Sequence, residues 1–282
     1  MFAKNYQIGS NSQMQKHTAI THNLDSFLSA VRSKGRYCFG LEELKTTLQL
    51  SNKAANQALF RAKSKSKIVQ VRKSFYAILT PEYLNRGMLP AYLFIDDLMA
   101  HLHKRYYIGL LSAAALHGAA HQQPMETFVI TQKPALRPIK NKNLKINFMV
   151  KKDWADEFIV KKKTEAGYIN VSSAELTALD LFYYTGTISV SNIVTILKEL
   201  VEEIKASQLQ KAATEFPQVA ALQRLGFIMD EILKNQKLAA AVERALKNKK
   251  TFPVALSNSK IKEGRFNNKW KVFQNTVIEA DI

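Results

Sequence analysis

The sequence predicts an α+β fold in two parts, and three observations support this prediction. Residues 24–64 carry apolar side chains at helical spacing, and two alternating segments follow within residues 68–79. Beyond residue 90, helical and alternating segments both occur without a regular strand–helix–strand repeat, which favours α+β over α/β. A length of 282 residues suits two domains that each bury a core.

The first part has the element order of a winged helix-turn-helix. Two short helices are predicted within residues 24–50, and a third over about Asn52–Ser64, with Ser51 as its N-cap. The strands of the wing are predicted at Ile68–Arg72 and Phe75–Leu79. In such domains the second helix of the helix-turn-helix, here the third helix of the chain, enters the major groove of DNA.

The third helix divides by residue type. Ala55, Leu59 and Ala62 recur at i, i+4 and i+7 and are predicted to face the core. The opposite face carries amides and an arginine that can bind base edges, and lysines that can hold phosphate. The predicted DNA-binding residues of this helix and the ribbon are Ser51, Asn52, Lys53, Asn56, Gln57, Arg61, Lys63, Lys65, Arg72 and Lys73.

Charge supports this interpretation over an ordinary solvated face. Residues 51–80 contain seven Lys or Arg and no Asp or Glu, whereas ordinary surfaces mix both signs. The whole chain has a net charge of +18, which indicates a polyanionic partner, either nucleic acid or an anionic membrane surface. Residues 1–90 hold 14 Lys or Arg against 4 Asp or Glu, so the excess is densest around the predicted helix-turn-helix.

Composition also sets the domain boundaries and the expected compartment. The predicted divisions are a flexible arm at residues 1–23, the winged domain at 24–80, a linker at 81–90 and an α+β domain at 91–282. A single cysteine excludes an intrachain disulfide, and the N-terminus does not read as a signal peptide. The most apolar run, Tyr106–Ala120, is too short to span a bilayer, so a cytoplasmic protein without membrane association is expected.

The second domain is predicted to contain strands at Thr127–Thr131 and Leu144–Val150, with residues 132–143 as a loop between them. A helix is predicted from Ser173, where Ser172 and Glu175 have capping-box spacing. Further helices are predicted at 190–205, 217–234 and 238–247, and a closing strand at 270–278.

No catalytic site, metal site or cofactor site is predicted. The chain has neither a GxGxxG nor a GxxxxGK[ST] segment, and two histidine pairs lack a convincing third ligand. Asp153, Asp156 and Glu157 stand among lysines, including Lys151 and Lys152, and are expected to form a charge-balanced surface.

Five segments of the second domain carry a resemblance. They read YYIGLLSAAALHG (106–118), FVITQK (128–133), VSSAELTALDLFYYTG (171–186), AALQRLGFIMDEIL (220–233) and KWKVFQNTVIEADI (269–282). In this order they resemble the AbiEi family of antitoxins, and with the winged helix the resemblance extends from about Leu24 to the C-terminus.

The resemblance implies an antitoxin of a bacterial type IV toxin–antitoxin system, of the kind linked to abortive infection of phage. It implies that the winged helix binds inverted repeats in double-stranded DNA at its own promoter and represses the operon. The second domain would counteract a nucleotidyltransferase-like toxin without a stable complex. Ser51–Arg61 match the recognition helix and Arg72–Lys73 the wing. Lys133, Arg137, Lys140 and Lys142 are candidates for the antitoxin role by charge, although a solvated loop explains them equally well.

Two other interpretations remain open at this point. A nucleotide- or RNA-acting enzyme could use Trp154, Phe158 or Tyr168 to stack a base, and would need carboxylates such as Asp96 or Asp153. A transcription factor with a small-molecule sensor domain would differ mainly in whether a ligand shifts its melting temperature.

Overall fold

The computed structural model describes residues 23–119, 126–141 and 143–278. The predicted arm therefore lies outside the described residues except for Asn23, which caps the first helix. Lys142 lies outside them as well.

The N-terminal part forms three helices and a three-stranded antiparallel sheet. Its elements are α1 Leu24–Ser33, β1 Cys38–Gly40, α2 Leu41–Leu48, α3 Asn52–Ser64, β2 Ile68–Arg72 and β3 Phe75–Ile78. The strand order is β1-β3-β2, with β2 and β3 joined by a tight turn. Phe27, Phe39, Leu44 and Leu59 belong to a core enclosed by the three helices and the sheet. This is the winged helix-turn-helix topology, and the predicted bounds of α3 and β2 are confirmed.

The larger part mixes strands and helices, as predicted. Its first elements are α4 Ile95–His101, β4 Tyr106–Ile108, α5 Leu110–Leu116, β5 Thr127–Thr131, β6 Ile139–Asn141, β7 Leu144–Val150, β8 Ile159–Thr164 and β9 Gly167–Ser172. The remaining elements are α6 Ala174–Tyr183, α7 Val190–Leu200, α8 Ala206–Glu215, α9 Val219–Phe227, a π-helical turn at Ile228–Ile232, α10 Gln236–Leu246, β10 Val254–Ala255, β11 Arg265–Asn267 and β12 Val272–Gln274.

One mixed sheet organises this part, with strand order β6-β7-β5-β4-β9-β8. The pairs β5–β7 and β4–β9 are parallel, and the other neighbours are antiparallel. Helices α6 to α10 pack into a large apolar cluster with parts of β4 and β5. The short strands β10, β11 and β12 form a separate sheet near the C-terminus.

Several elements differ from their prediction. The predicted loop at 132–143 is wrong in part, because Ile139–Asn141 pair antiparallel with the start of β7. Strand β4 and helix α8 were not predicted, and the closing strand spans Val272–Gln274 rather than 270–278. These segments are short or rich in alanine and glutamine, so their sequence pattern is weak and tertiary packing decides their structure.

The predicted capping box of α6 is wrong by one residue. Ser173 is the N-cap, and its hydroxyl accepts the backbone N–H three residues later at 3.3 Å. Ser172 instead ends β9, with its hydroxyl 2.7 Å from Oγ1 of Thr177. The carboxylate of Glu175 accepts the backbone N–H of Lys205 at 3.0 Å. Two adjacent serines offer the same cap chemistry, and spacing alone does not choose between them.

The winged helix packs against the mixed sheet. Val71 and Phe75 of the wing share a buried cluster with Leu98 of α4 and Phe148 of β7. Residues 81–90, predicted as a linker, contribute to the same cluster through buried Met88 and Leu89. The N-terminal part is thus held in one orientation relative to the large sheet.

Trp270 packs the C-terminal sheet against α9, so stability is expected to be sensitive to substitution at Gly226 of that helix. A Cβ at Gly226 of α9 would lie 2.0 Å from Cζ3 of the buried Trp270 ring. We expect Gly226→Ala to lower the free energy of unfolding by roughly 1–3 kcal/mol, the usual cost of overpacking. Urea denaturation would measure it. In a Trp270→Leu background the same change should cost less, and an equal cost in both backgrounds would contradict this account.

Candidate nucleic-acid interface

Local sequence fixes how α3 is presented to solvent. The Ser51 hydroxyl accepts the backbone N–H of Ala54 at 3.2 Å and so starts the helix. Ala55, Leu59 and Ala62 are buried against the core, which sets the rotation of the helix about its axis. The face opposite these three residues therefore points away from the protein.

This outward face carries the predicted base-reading residues and one predicted phosphate-binding lysine. Lys53, Asn56, Gln57 and Arg61 are all exposed, and they line one open depression together with Phe60. In the part of the chain that the structure describes, none of these four polar side chains has a hydrogen-bond or ion-pair partner. Amide and guanidinium groups without internal partners are available for a ligand. Of the four side chains, the amides are neutral and the lysine and arginine are positively charged.

The remaining predicted contacts surround this face. Ser51, Asn52, Lys63 and Lys65 are exposed at the two ends of α3, and Lys73 is exposed at the tip of the wing. In a winged helix these positions flank the recognition helix, where lysines and hydroxyls suit phosphate contacts.

Arg72 differs from the other predicted contacts. Its Nη1 donates to the backbone carbonyl of Arg137 at 3.2 Å, and its guanidinium lies 5.7 Å from the Phe148 ring centroid. Burial, followed by the positive charge of Arg137, lowers the pKa of Arg72. Arg72 thus joins the wing to the β5–β6 loop. Lys133 and Arg137 of that loop are exposed, and so is Lys140 of β6.

The acidic residues considered for catalysis are bound by other side chains. Arg105 contacts Asp156 at 2.7 Å and Asp153 at 3.5 Å, while Glu157 pairs with Lys211. Asp96 accepts a hydrogen bond from the Tyr106 hydroxyl at 2.7 Å. Asp153, Asp156 and Glu157 are thus balanced by cations as expected, but the cations are Arg105 and Lys211 rather than the lysines adjacent in sequence. A surface cleft of about 360 Å³ lies beside Asp96 and Asp156. Among the described residues, no three potential metal ligands come together.

Lys151 was predicted to lie on a charge-balanced surface, and this prediction is wrong. It is 2% exposed, and its Nζ lies 2.7 Å from Oδ1 of Asp180, which is fully buried. The Tyr107 hydroxyl donates to Oδ2 of Asp180 at 2.7 Å. Burial raises the pKa of Asp180, opposed by the charge and hydrogen bond of Lys151 and then by the Tyr107 hydroxyl. Tyr107, Lys151 and Asp180 thus form a buried triad. The sequence signal for this triad was the single aspartate within the apolar stretch LTALDLFYY, at 176–184.

This chain is similar to known proteins both in sequence and in fold. Residues 107–231 match the family described as "AbiEi antitoxin C-terminal domain", which confirms the resemblance over that part of the chain. The crystal structure of the RV2827C protein from Mycobacterium tuberculosis is similar, with a TM-score of 0.65 and 14% identity. That similarity covers 88% of this chain and 89% of the other and concerns the fold alone. No curated protein matches this chain. No helix of the described residues is long and apolar enough to cross a bilayer.

Proposed function

We propose, from the premise that this chain contains an AbiEi antitoxin C-terminal domain, that it is a two-function antitoxin. Its winged helix binds inverted repeats in its own promoter and represses the operon. Its larger domain counteracts a toxin, because an antitoxin implies a toxin partner, and the family resemblance implies that this toxin is nucleotidyltransferase-like. The observation that carries the DNA-binding half is the outward face of α3, where Lys53, Asn56, Gln57 and Arg61 have no internal partner among the described residues.

The chemistry of the face assigns a role to each group. Asn56 and Gln57 can each make paired hydrogen bonds to an adenine edge, and Arg61 to a guanine edge. Lys53, next to the helix N-terminus, and Lys73 on the wing would bind phosphates, which position the helix without reading sequence.

The division between base and phosphate contacts gives a test. We expect Arg61→Ala to weaken binding to the promoter duplex about 5- to 150-fold, the loss of one bidentate base contact, with a smaller effect on random duplex. Lys73→Ala should weaken both to a similar extent, because a phosphate contact is independent of sequence. Fluorescence anisotropy with the two duplexes would measure this. Equal losses for both duplexes in Arg61→Ala would contradict the proposed role of α3.

The antitoxin half is tested separately in cells. The proposal places a nucleotidyltransferase-like toxin gene beside this one. Co-expression of this chain with that toxin should restore growth, and the Arg61→Ala variant should restore it equally well. Absence of rescue by the wild-type chain would contradict this half. Size-exclusion chromatography should show no stable complex of the two proteins.

The cleft beside Asp96 and Asp156 favours one second candidate, an enzyme acting on nucleotides or RNA. Turnover of labelled nucleotides or tRNA with magnesium, lost in Asp96→Ala or Asp153→Ala, would support it. The ion pairs and hydrogen bonds of these carboxylates argue for a structural role instead.

A further inference from the structure

Phe60 is an aromatic residue that the core of the protein does not use. It is 67% exposed, although Ala55, Leu59 and Ala62 of the same helix are buried. Among the described aromatic residues with large exposure, it is more exposed than Tyr168 or Phe252. A single exposed apolar side chain is common on protein surfaces and does not by itself indicate a contact. What distinguishes Phe60 is the group of polar side chains around it.

The surroundings of Phe60 define the chemistry of that contact. It follows Lys53, Asn56 and Gln57 at i+7, i+4 and i+3 on one helical stripe, and it lines the same depression as those residues and Arg61. A ligand that fits must therefore offer hydrogen-bonding edges, negative charge and one apolar group within about a helical turn. The major groove of DNA meets these conditions, because thymine presents its C5 methyl group beside the polar base edges.

We infer that Phe60 contacts the C5 methyl group of a thymine in the bound operator and so contributes to sequence specificity. This inference rests on the proposed DNA binding and adds a specificity-determining residue to it. The methyl group would pack on the ring while the neighbouring amides and Arg61 bond to adjacent base edges.

A second copy of this chain fits the same face less well. Two such faces brought together would place Lys53 and Arg61 of one copy against the same cations of the other. In the described part of the chain, the depression contains no carboxylate that could compensate them. Like charges at a contact oppose association, whereas a duplex supplies phosphates.

The test uses the full chain and duplexes selected from a random library by their binding to it. Each thymine of the selected site is replaced singly by deoxyuridine, which removes only the methyl group. We expect one or two positions to weaken wild-type binding about fourfold, the value of burying one methyl group. Phe60→Ala should bind the thymine and uracil duplexes equally well.

Phe252→Ala provides a matched control, because Phe252 is 59% exposed and lies outside the interface. It should keep the wild-type penalty for uracil. Phe60→Ala should keep the wild-type midpoint of urea unfolding, so a loss of binding is separated from misfolding. Phe60→Leu should retain part of the methyl penalty, since it preserves an apolar contact.

Two results would overturn the inference while leaving DNA binding in place. One is a wild-type chain that is indifferent to uracil at every position, and the other is a Phe60→Ala variant with an undiminished penalty. Selection that returns no preferred sequence would overturn both the inference and the proposed repressor function. Sedimentation that shows dimers lost in Phe60→Ala, with the uracil penalty unchanged, would assign the ring to self-association instead.

Discussion

Lys151→Ala should lower the free energy of unfolding by about 3–5 kcal/mol, because it leaves the Asp180 carboxylate buried without its cation. The two groups lie 2.7 Å apart and are both buried, and the Tyr107 hydroxyl completes the site. Asp180→Ala should cost a similar amount, since it leaves the ammonium unpaired. Urea denaturation at neutral pH would measure both. Lys152→Ala, at the exposed neighbouring position, should change stability by less than about 0.5 kcal/mol.

The same triad predicts partial recovery when all of its polar groups are removed together. The combination Tyr107→Phe, Lys151→Met and Asp180→Leu buries no unpaired polar atom, so it should be more stable than either single variant. Buried ion pairs often contribute little net stability because desolvation offsets their attraction. Single variants that cost under about 1 kcal/mol would contradict the enclosed ion pair.

Salt should weaken promoter binding steeply. If the face of α3 and the wing neutralise six phosphates, the affinity should fall roughly a thousandfold between 50 and 200 mM salt. The physical reason is the release of counterions from DNA when lysines and arginines take their place. The slope of log Kd against log salt concentration measures the number of contacts.

A pair of lysines tests whether the slope reports these contacts. Lys63 is exposed without an ion-pair partner in the described part of the chain, whereas Lys67 lies 2.6 Å from Asp25. Lys63→Ala should reduce the slope by about 0.9, the value of one phosphate, and Lys67→Ala should change it less. A slope that responds equally to both variants would indicate diffuse attraction by net charge.

The winged helix-turn-helix was predictable because the sequence patterns that specify it are local. An N-cap serine, a three-residue apolar stripe and an alternating ribbon each act within one or two turns of chain. The bounds of α3 therefore matched residue by residue. The outward direction of Asn56, Gln57 and Arg61 followed from the inward direction of Leu59.

The larger domain was less predictable because its decisive contacts join distant segments. Lys151 pairs with Asp180, 29 positions away, and beside the exposed Lys152 it resembles any surface lysine. Strand β6 exists through its pairing with β7, and α8 through its packing on α10. The wing residue Arg72 was predicted as a DNA contact, but its bond to the Arg137 carbonyl depends on domain packing that the sequence does not reveal.

The claim on which the rest depends is that α3 reads a particular duplex sequence. Competition binding between the region upstream of this gene and random duplex of equal length, at 150 mM salt, measures it directly. The account predicts a preference of at least about a thousandfold for the upstream region, as specific repressors show, with a large share of it lost in Arg61→Ala. Equal affinity for the two duplexes would contradict it.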